Sequence, residues 1–89
     1  MASDDQDRKM PDQVIELVWK GSTVRIRRWF DTGNVAVWRK HSPSWKVIMK
    51  GLAWRYGGRF VTQYEDWYFP GHQAHNVERA LRRICARQS

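Results

Sequence analysis

"VIELVWKGSTVRIRRWF", residues 14–30, decides the fold. Ile15, Leu17 and Trp19 alternate with Glu16 and Val18, the period of a half-buried strand. Lys20-Gly21-Ser22 supplies a tight turn, because Gly21 reaches positive φ without steric cost. A second strand runs over about 23–30. In it Val24 and Ile26 point one way, while Arg25, Arg27 and Trp29 point the other. One face is apolar. The other carries two guanidiniums and an indole, the chemistry of a surface that holds an anionic, flat-faced partner.

Working outward, "DTGN" at 31–34 is a second turn, with Asp, Gly and Asn in their usual roles. "VAVWRK" at 35–40 is a third strand, so the first half reads as a three-stranded antiparallel meander. The period then changes. Ser42 is a good N-cap and Pro43 suits the first helical position. Trp45, Ile48, Met49, Leu52 and Tyr56 recur every three or four residues as an amphipathic stripe, and Gly57-Gly58 end the helix. Gly51 lies mid-helix, where it costs about 1 kcal/mol relative to Ala, and is expected to let the helix approach the sheet closely. "RFVTQYEDWYFP" reads as a hairpin turning near Glu65-Asp66, and "GHQAHNVERALRRICARQ" as a second helix buried through Ala74, Val77, Leu81 and Ile84. The order βββ-α-ββ-α predicts an α+β fold: a small antiparallel sheet, meander plus hairpin, packed against two helices on one face.

The chain has 89 residues, enough for one small domain with a modest core. Its six Trp, three Tyr and three Phe therefore include structural residues. Trp19, Trp38, Trp45 and Trp67 read as core, whereas Trp29 and Trp54 share faces with cations and read as exposed. Residues 1–12 read as a disordered acidic tail, with the α+β domain at 13–89. Within residues 1–13, four Asp against Arg8 and Lys9 leave a net −2, so the remaining 76 residues carry +9 and the whole chain a formal +7. Such a domain attracts polyanions, and the acidic tail has the charge to compete with them. The bias is towards Arg, which matches phosphate bidentately and stacks on flat rings.

Cys85 is the single cysteine, which fits a reducing compartment. With no secretory signal and no apolar run of spanning length, the expectation is a cytoplasmic protein that does not engage a membrane. His72, His75 and Cys85 do not make a four-ligand zinc set. Glu65-Asp66 are turn residues rather than a carboxylate pair, and no Gly-rich phosphate loop precedes a helix. No enzyme, cofactor or metal is expected.

The cations interleave with aromatics. Arg25, Arg27 and Arg28 flank Trp29; Lys46, Lys50 and Trp54 fall at spacing four on the first helix. Arg39 and Lys40 lie where the third strand meets that helix, and Arg55 and Arg59 bracket the Gly-Gly corner. Arg79, Arg82, Arg83 and Arg87 line the last helix. Cations neutralise phosphates, and exposed rings stack on unpaired bases for about 1–3 kcal/mol each. These residues are the candidate nucleic-acid interface, with Trp29 and Trp54 as the stacking rings.

Residues 42–84, "SPSWKVIMKGLAWRYGGRFVTQYEDWYFPGHQAHNVERALRRI", add a resemblance. A helix, an arginine-aromatic corner, a hairpin carrying W-x-F-P and a helix ending in ALRRI resemble the HARP domain of annealing helicases and related small modules of conjugative-element proteins. Those families pair a basic residue before the hairpin with a Trp in its second strand, here Arg55 or Arg59 and Trp67. The resemblance implies DNA binding or attachment to a DNA-processing complex. It transfers no catalytic residue, and the first three strands have no counterpart in it.

The function expected from sequence is a non-enzymatic module binding nucleic acid, with single-stranded or forked DNA ahead of duplex or RNA. The alternative is a small adaptor or inhibitor, of phage or mobile-element type, docking on an acidic protein partner, since Trp and Arg are also the residues of interface hot spots.

Overall fold

The first hairpin pairs Ile15 with Ile26 and Leu17 with Val24, so the apolar residues of both strands fall on one face, as the alternation requires. The structure, a computed structural model, describes residues 8–87. Its elements are β1 (Gln13–Trp19), β2 (Ser22–Arg28), β3 (Val35–Trp38), α1 (Pro43–Tyr56), β4 (Arg59–Val61), β5 (Asp66–Phe69), a 3-10 turn at Gly71–Gln73 and α2 (Ala74–Ala86). The five strands form one antiparallel sheet in the order β1-β2-β3-β5-β4. The expected α+β class and element order are therefore observed.

Register carries the apolar face across the sheet. Ile26 sits opposite Val37, Val35 opposite Phe69, and Val37 opposite Trp67. Onto this face pack Trp45, Met49 and Ala53 of α1 and Ala74, Val77, Leu81 and Cys85 of α2. Phe69, Ile26, Met49 and Leu81 are completely buried, each worth about 1.5–3 kcal/mol of transfer from water. Burial raises the pKa of the Cys85 thiol, while the Arg39 charge opposes that rise. α1 begins as expected: the Ser42 hydroxyl accepts from the Trp45 N–H at 3.2 Å, and Pro43 is the first helical residue. It ends at Gly57, left-handed at φ 72°, whose N–H donates to the Ala53 carbonyl. Gly51, expected to approach the sheet, instead faces solvent, with nothing within 4 Å of a Cβ placed there.

Three boundaries differ from expectation. β2 stops at Arg28 because Trp29 turns the chain, its N–H bonded to Asn34 and its carbonyl to Gly33. β3 stops at Trp38 because Arg39 turns inward and is buried. The β4–β5 connection is residues 62–65, which places Asp66 inside β5.

The larger difference concerns residues 8–12, which sequence assigns to the tail. They lie as a strap against the sheet face opposite the helices. The Asp12 N–H donates to the Arg28 carbonyl at 2.8 Å, and the Asp12 carboxylate accepts from the Phe30 N–H at 2.7 Å. Trp29 Nε1 donates to the Lys9 carbonyl at 2.8 Å. Lys9 pairs with Asp31 at 2.7 Å, which raises the lysine pKa and lowers that of the carboxylate. Residues 8–12 therefore belong to the folded domain; the rest of the expected tail, residues 1–7, lies outside the described residues. No helix among the described residues is long and apolar enough to cross a membrane.

Candidate functional site

Alternation along β5 sends Asp66 and Tyr68 to one face and Trp67 and Phe69 to the other. Each face of the hairpin then contributes to a different cluster of rings and charges.

On the helix side, Trp67 stands directly opposite Phe60 of β4, the rings edge to face at 5.1 Å. Across from them is Trp45 in the first turn of α1. Its indole is buried against Trp19 at 5.4 Å. Arg39 closes the inner end. Its guanidinium lies over the Trp19 and Trp45 rings at 4.8 and 5.6 Å. It donates to the Trp19 carbonyl at 3.0 Å, the Lys40 carbonyl at 3.1 Å and the Ser42 hydroxyl at 3.4 Å. Arg39 thus ties the end of β1 to the helix cap. Its Nε–H is buried without a hydrogen-bond partner among the described residues.

These residues enclose a cavity of about 400 Å³, within the range of small-ligand sites. His41, Lys46, Lys50 and Glu65 complete its lining. Lys46 and Lys50, one helical turn apart, are exposed at the rim. The first turn of α1 contains no acidic residue, so its positive dipole end is not neutralised locally. Three aromatic walls, four basic residues and one carboxylate therefore converge on one cavity.

On the opposite face the second cluster is built around a cation of the chain, beside a shallower pocket of about 250 Å³ lined by Arg8, Trp29 and Tyr68 among others. The Arg8 guanidinium lies 3.9 Å from the Tyr64 ring centroid, 4.8 Å from Tyr68 and 5.4 Å from Trp29. Its Nη1 donates to Asp66 Oδ2 at 2.6 Å, with Asp66 completely buried. Here three rings and a carboxylate hold a cation that the chain itself supplies.

The cations expected to form one surface are divided by the sheet. Arg25 and Arg27 lie on the strap side, Arg25 paired with Glu16 at 3.1 Å and stacked over Trp38 at 5.4 Å. Arg59 lies over Tyr68 on that side, at 5.7 Å. Arg28 projects to the helix side and pairs with Glu78 at 3.4 Å, which also accepts from Arg82 at 3.0 Å. Arg79, Arg83 and Arg87 are exposed on α2, which packs over β1, the sheet edge opposite β4. Arg55 is exposed at the end of α1, its guanidinium over Tyr56. Of the predicted set, the cavity brings together Arg39, Lys46 and Lys50, with Lys40 exposed beside them in sequence.

Trp29 requires correction. It is only 4% exposed and serves as a cage wall, so it does not offer a stacking surface. Trp54 is 90% exposed, as expected, but does not line the cavity. Among the residues read as core, Trp19 and Trp45 are buried, while Trp38 and Trp67 are half-buried. Sequence reading did not place Trp45, Phe60 or Glu65 in the interface, and reached Trp67 only through the resemblance to the HARP domain; all four line the cavity. The usable signal was alternation in "DWYF", which separates Trp67 from Asp66 and Tyr68; joining Trp67 to Phe60 also needs the β4–β5 register.

Among the described residues no three His, Cys, Asp or Glu gather in a metal-binding arrangement. No family model, curated protein or solved structure matches this chain.

Proposed function

We propose that this protein binds single-stranded nucleic acid, seating an unpaired base against Phe60 and Trp67 in the cavity that buried Trp45 also lines, and its flanking phosphates on Lys46, Lys50 and His41. The observation that carries this reading is the convergence of aromatic walls and basic groups on one cavity of about 400 Å³. Rings supply sequence-tolerant stacking; cations supply salt-dependent affinity. A base paired in a duplex cannot enter such a cavity, so unpaired strands bind more tightly than duplex.

Tryptophan fluorescence during titration with a short single-stranded oligonucleotide at several salt concentrations tests this. Quenching is expected, with affinity falling as salt rises. Lys46→Ala with Lys50→Ala is expected to flatten the log–log salt slope by about 1.4, at about 0.7 per phosphate contact. Phe60→Ala, at an edge position already 46% exposed, is expected to weaken binding by about 1–3 kcal/mol without unfolding the domain. An unchanged slope in the lysine pair removes this cavity from the interface.

One observation favours the adaptor reading. Val47 and Trp54, two turns apart on α1, are 72% and 90% exposed. If the titration is silent and a stoichiometric acidic protein is captured through Trp54, that reading replaces the first.

A further inference from the structure

The cavity has a chemical polarity that composition alone does not reveal. Its basic groups lie on the β3–α1 connection and α1, whereas its carboxylate, Glu65, lies on the β4–β5 turn. A phosphate is drawn to the first group and repelled by the second, so a bound nucleotide points its base edge towards Glu65. Glu65 makes no ion pair with another described residue, and its oxygens remain as acceptors at the rim.

The backbone marks the same residue. Glu65 has φ 54°, in the left-handed region, at the last position of the four-residue connection 62–65. That position favours Gly or Asn, and a side chain with a longer stem is strained there. The turn therefore holds a carboxylate where backbone conformation alone would not select one.

We infer that the cavity is a guanine site, with Glu65 accepting from the base's Watson–Crick edge; this rests on the base-binding reading above. An ionised carboxylate only accepts. Guanine is the base that offers two adjacent donors on that edge, its ring N1–H and exocyclic N2–H, in a spacing that both carboxylate oxygens match. In adenine and cytosine the exocyclic amine sits beside an acceptor ring nitrogen, which repels the second oxygen. In thymine and uracil the single N–H lies between two carbonyls. The aromatic walls hold any base; the carboxylate distinguishes among them.

The test uses the full chain and three oligothymidines that differ at one central position, carrying guanine, inosine or adenine there. Inosine keeps the N1–H and lacks the N2 amine. Guanine is expected to bind about tenfold more tightly than adenine, with inosine between them. Glu65→Gly, which also suits the positive φ, is expected to erase the difference between the three strands. Equal affinity for the three strands overturns the guanine assignment and leaves the base pocket standing. A guanine preference that survives in Glu65→Gly overturns the role of Glu65. Failure of all three to bind overturns both this inference and the reading on which it rests.

Discussion

The two faces of the β4–β5 hairpin use similar parts to different ends. On the strap side Trp29, Tyr64 and Tyr68 surround a carboxylate, and Arg8 fills the space between them. On the helix side Trp45, Phe60 and Trp67 surround a cavity whose charged groups are mostly basic. The first cluster has opposite charges in contact and Trp29 buried behind them. The second brings like charges together around exposed aromatic surface, which folding alone does not reward. Interleaved Arg and Trp are thus equally the makings of an internal joint and of a recognition site. What separates them is whether the chain itself provides the complementary charge.

The sharpest way to break this comparison is to remove the joint's charge. Asp66→Ala leaves the Arg8 guanidinium among rings without its carboxylate, and Arg8→Ala leaves a buried carboxylate without its guanidinium. Each change is expected to cost about 3–5 kcal/mol in urea unfolding. The double variant should cost clearly less than the two losses added together, since the partners act as one unit. Strictly additive losses would show that the strap is not a joint. The exposed lysines of the cavity rim should not behave this way, because removing a cation from a cluster of cations relieves repulsion. Lys46→Ala and Lys50→Ala should leave stability within about 0.5 kcal/mol.

A smaller effect tests the wall between the two ends of the cavity. Ser42 caps α1 through the Trp45 N–H and accepts from Arg39, so it joins the helix start to the inner wall. Ser42→Ala is expected to cost about 1 kcal/mol of stability. If the cap also fixes Trp45 and Arg39, oligonucleotide affinity falls in the same variant under conditions where it is fully folded. Unchanged affinity would mean that Trp45 is held by its packing on Trp19 alone.

How much of this was legible in sequence depended on range. The period-2 alternation of residues 14–30, the Ser42-Pro43 start and the Gly57 stop are local signals, and each element appears where those signals placed it apart from the earlier end of β2 at Arg28. The faces of β2 were also legible: Arg25, Arg27 and Trp29 do lie away from the helices. The burial of Trp29 was not, because it depends on Arg8, 21 positions earlier in a polar, Asp-rich stretch with no periodicity. A strap held by one guanidinium, one indole N–H and a few carboxylate bonds has no pattern to read. The cavity was hidden for a related reason. Its lining comes from α1, β4, β5 and two connections, and the order β3-β5-β4, which brings Trp67 beside Val37 and Phe60 beside Trp67, is a choice among pairings that hydrophobicity does not distinguish.

Trp54 gives the finest test, since the same local reasoning placed it and Trp29 together. It is 90% exposed on the outer side of α1, with Lys50 one turn before it. Having little surface to lose from contact with the protein, Trp54→Ala should change stability by no more than about 0.5 kcal/mol, whereas Trp29→Ala should cost about 3–5 kcal/mol. Binding separates the regions further. A lone ring without a facing wall stacks one base on one side, so Trp54→Ala should weaken oligonucleotide binding less than Phe60→Ala does. The reverse ranking would place the bound strand along the outer face of α1, with Lys50 still contacting phosphate but the cavity bypassed. Since Lys50 belongs to both descriptions, the order of these two ring truncations decides between them, and the lysine variants do not.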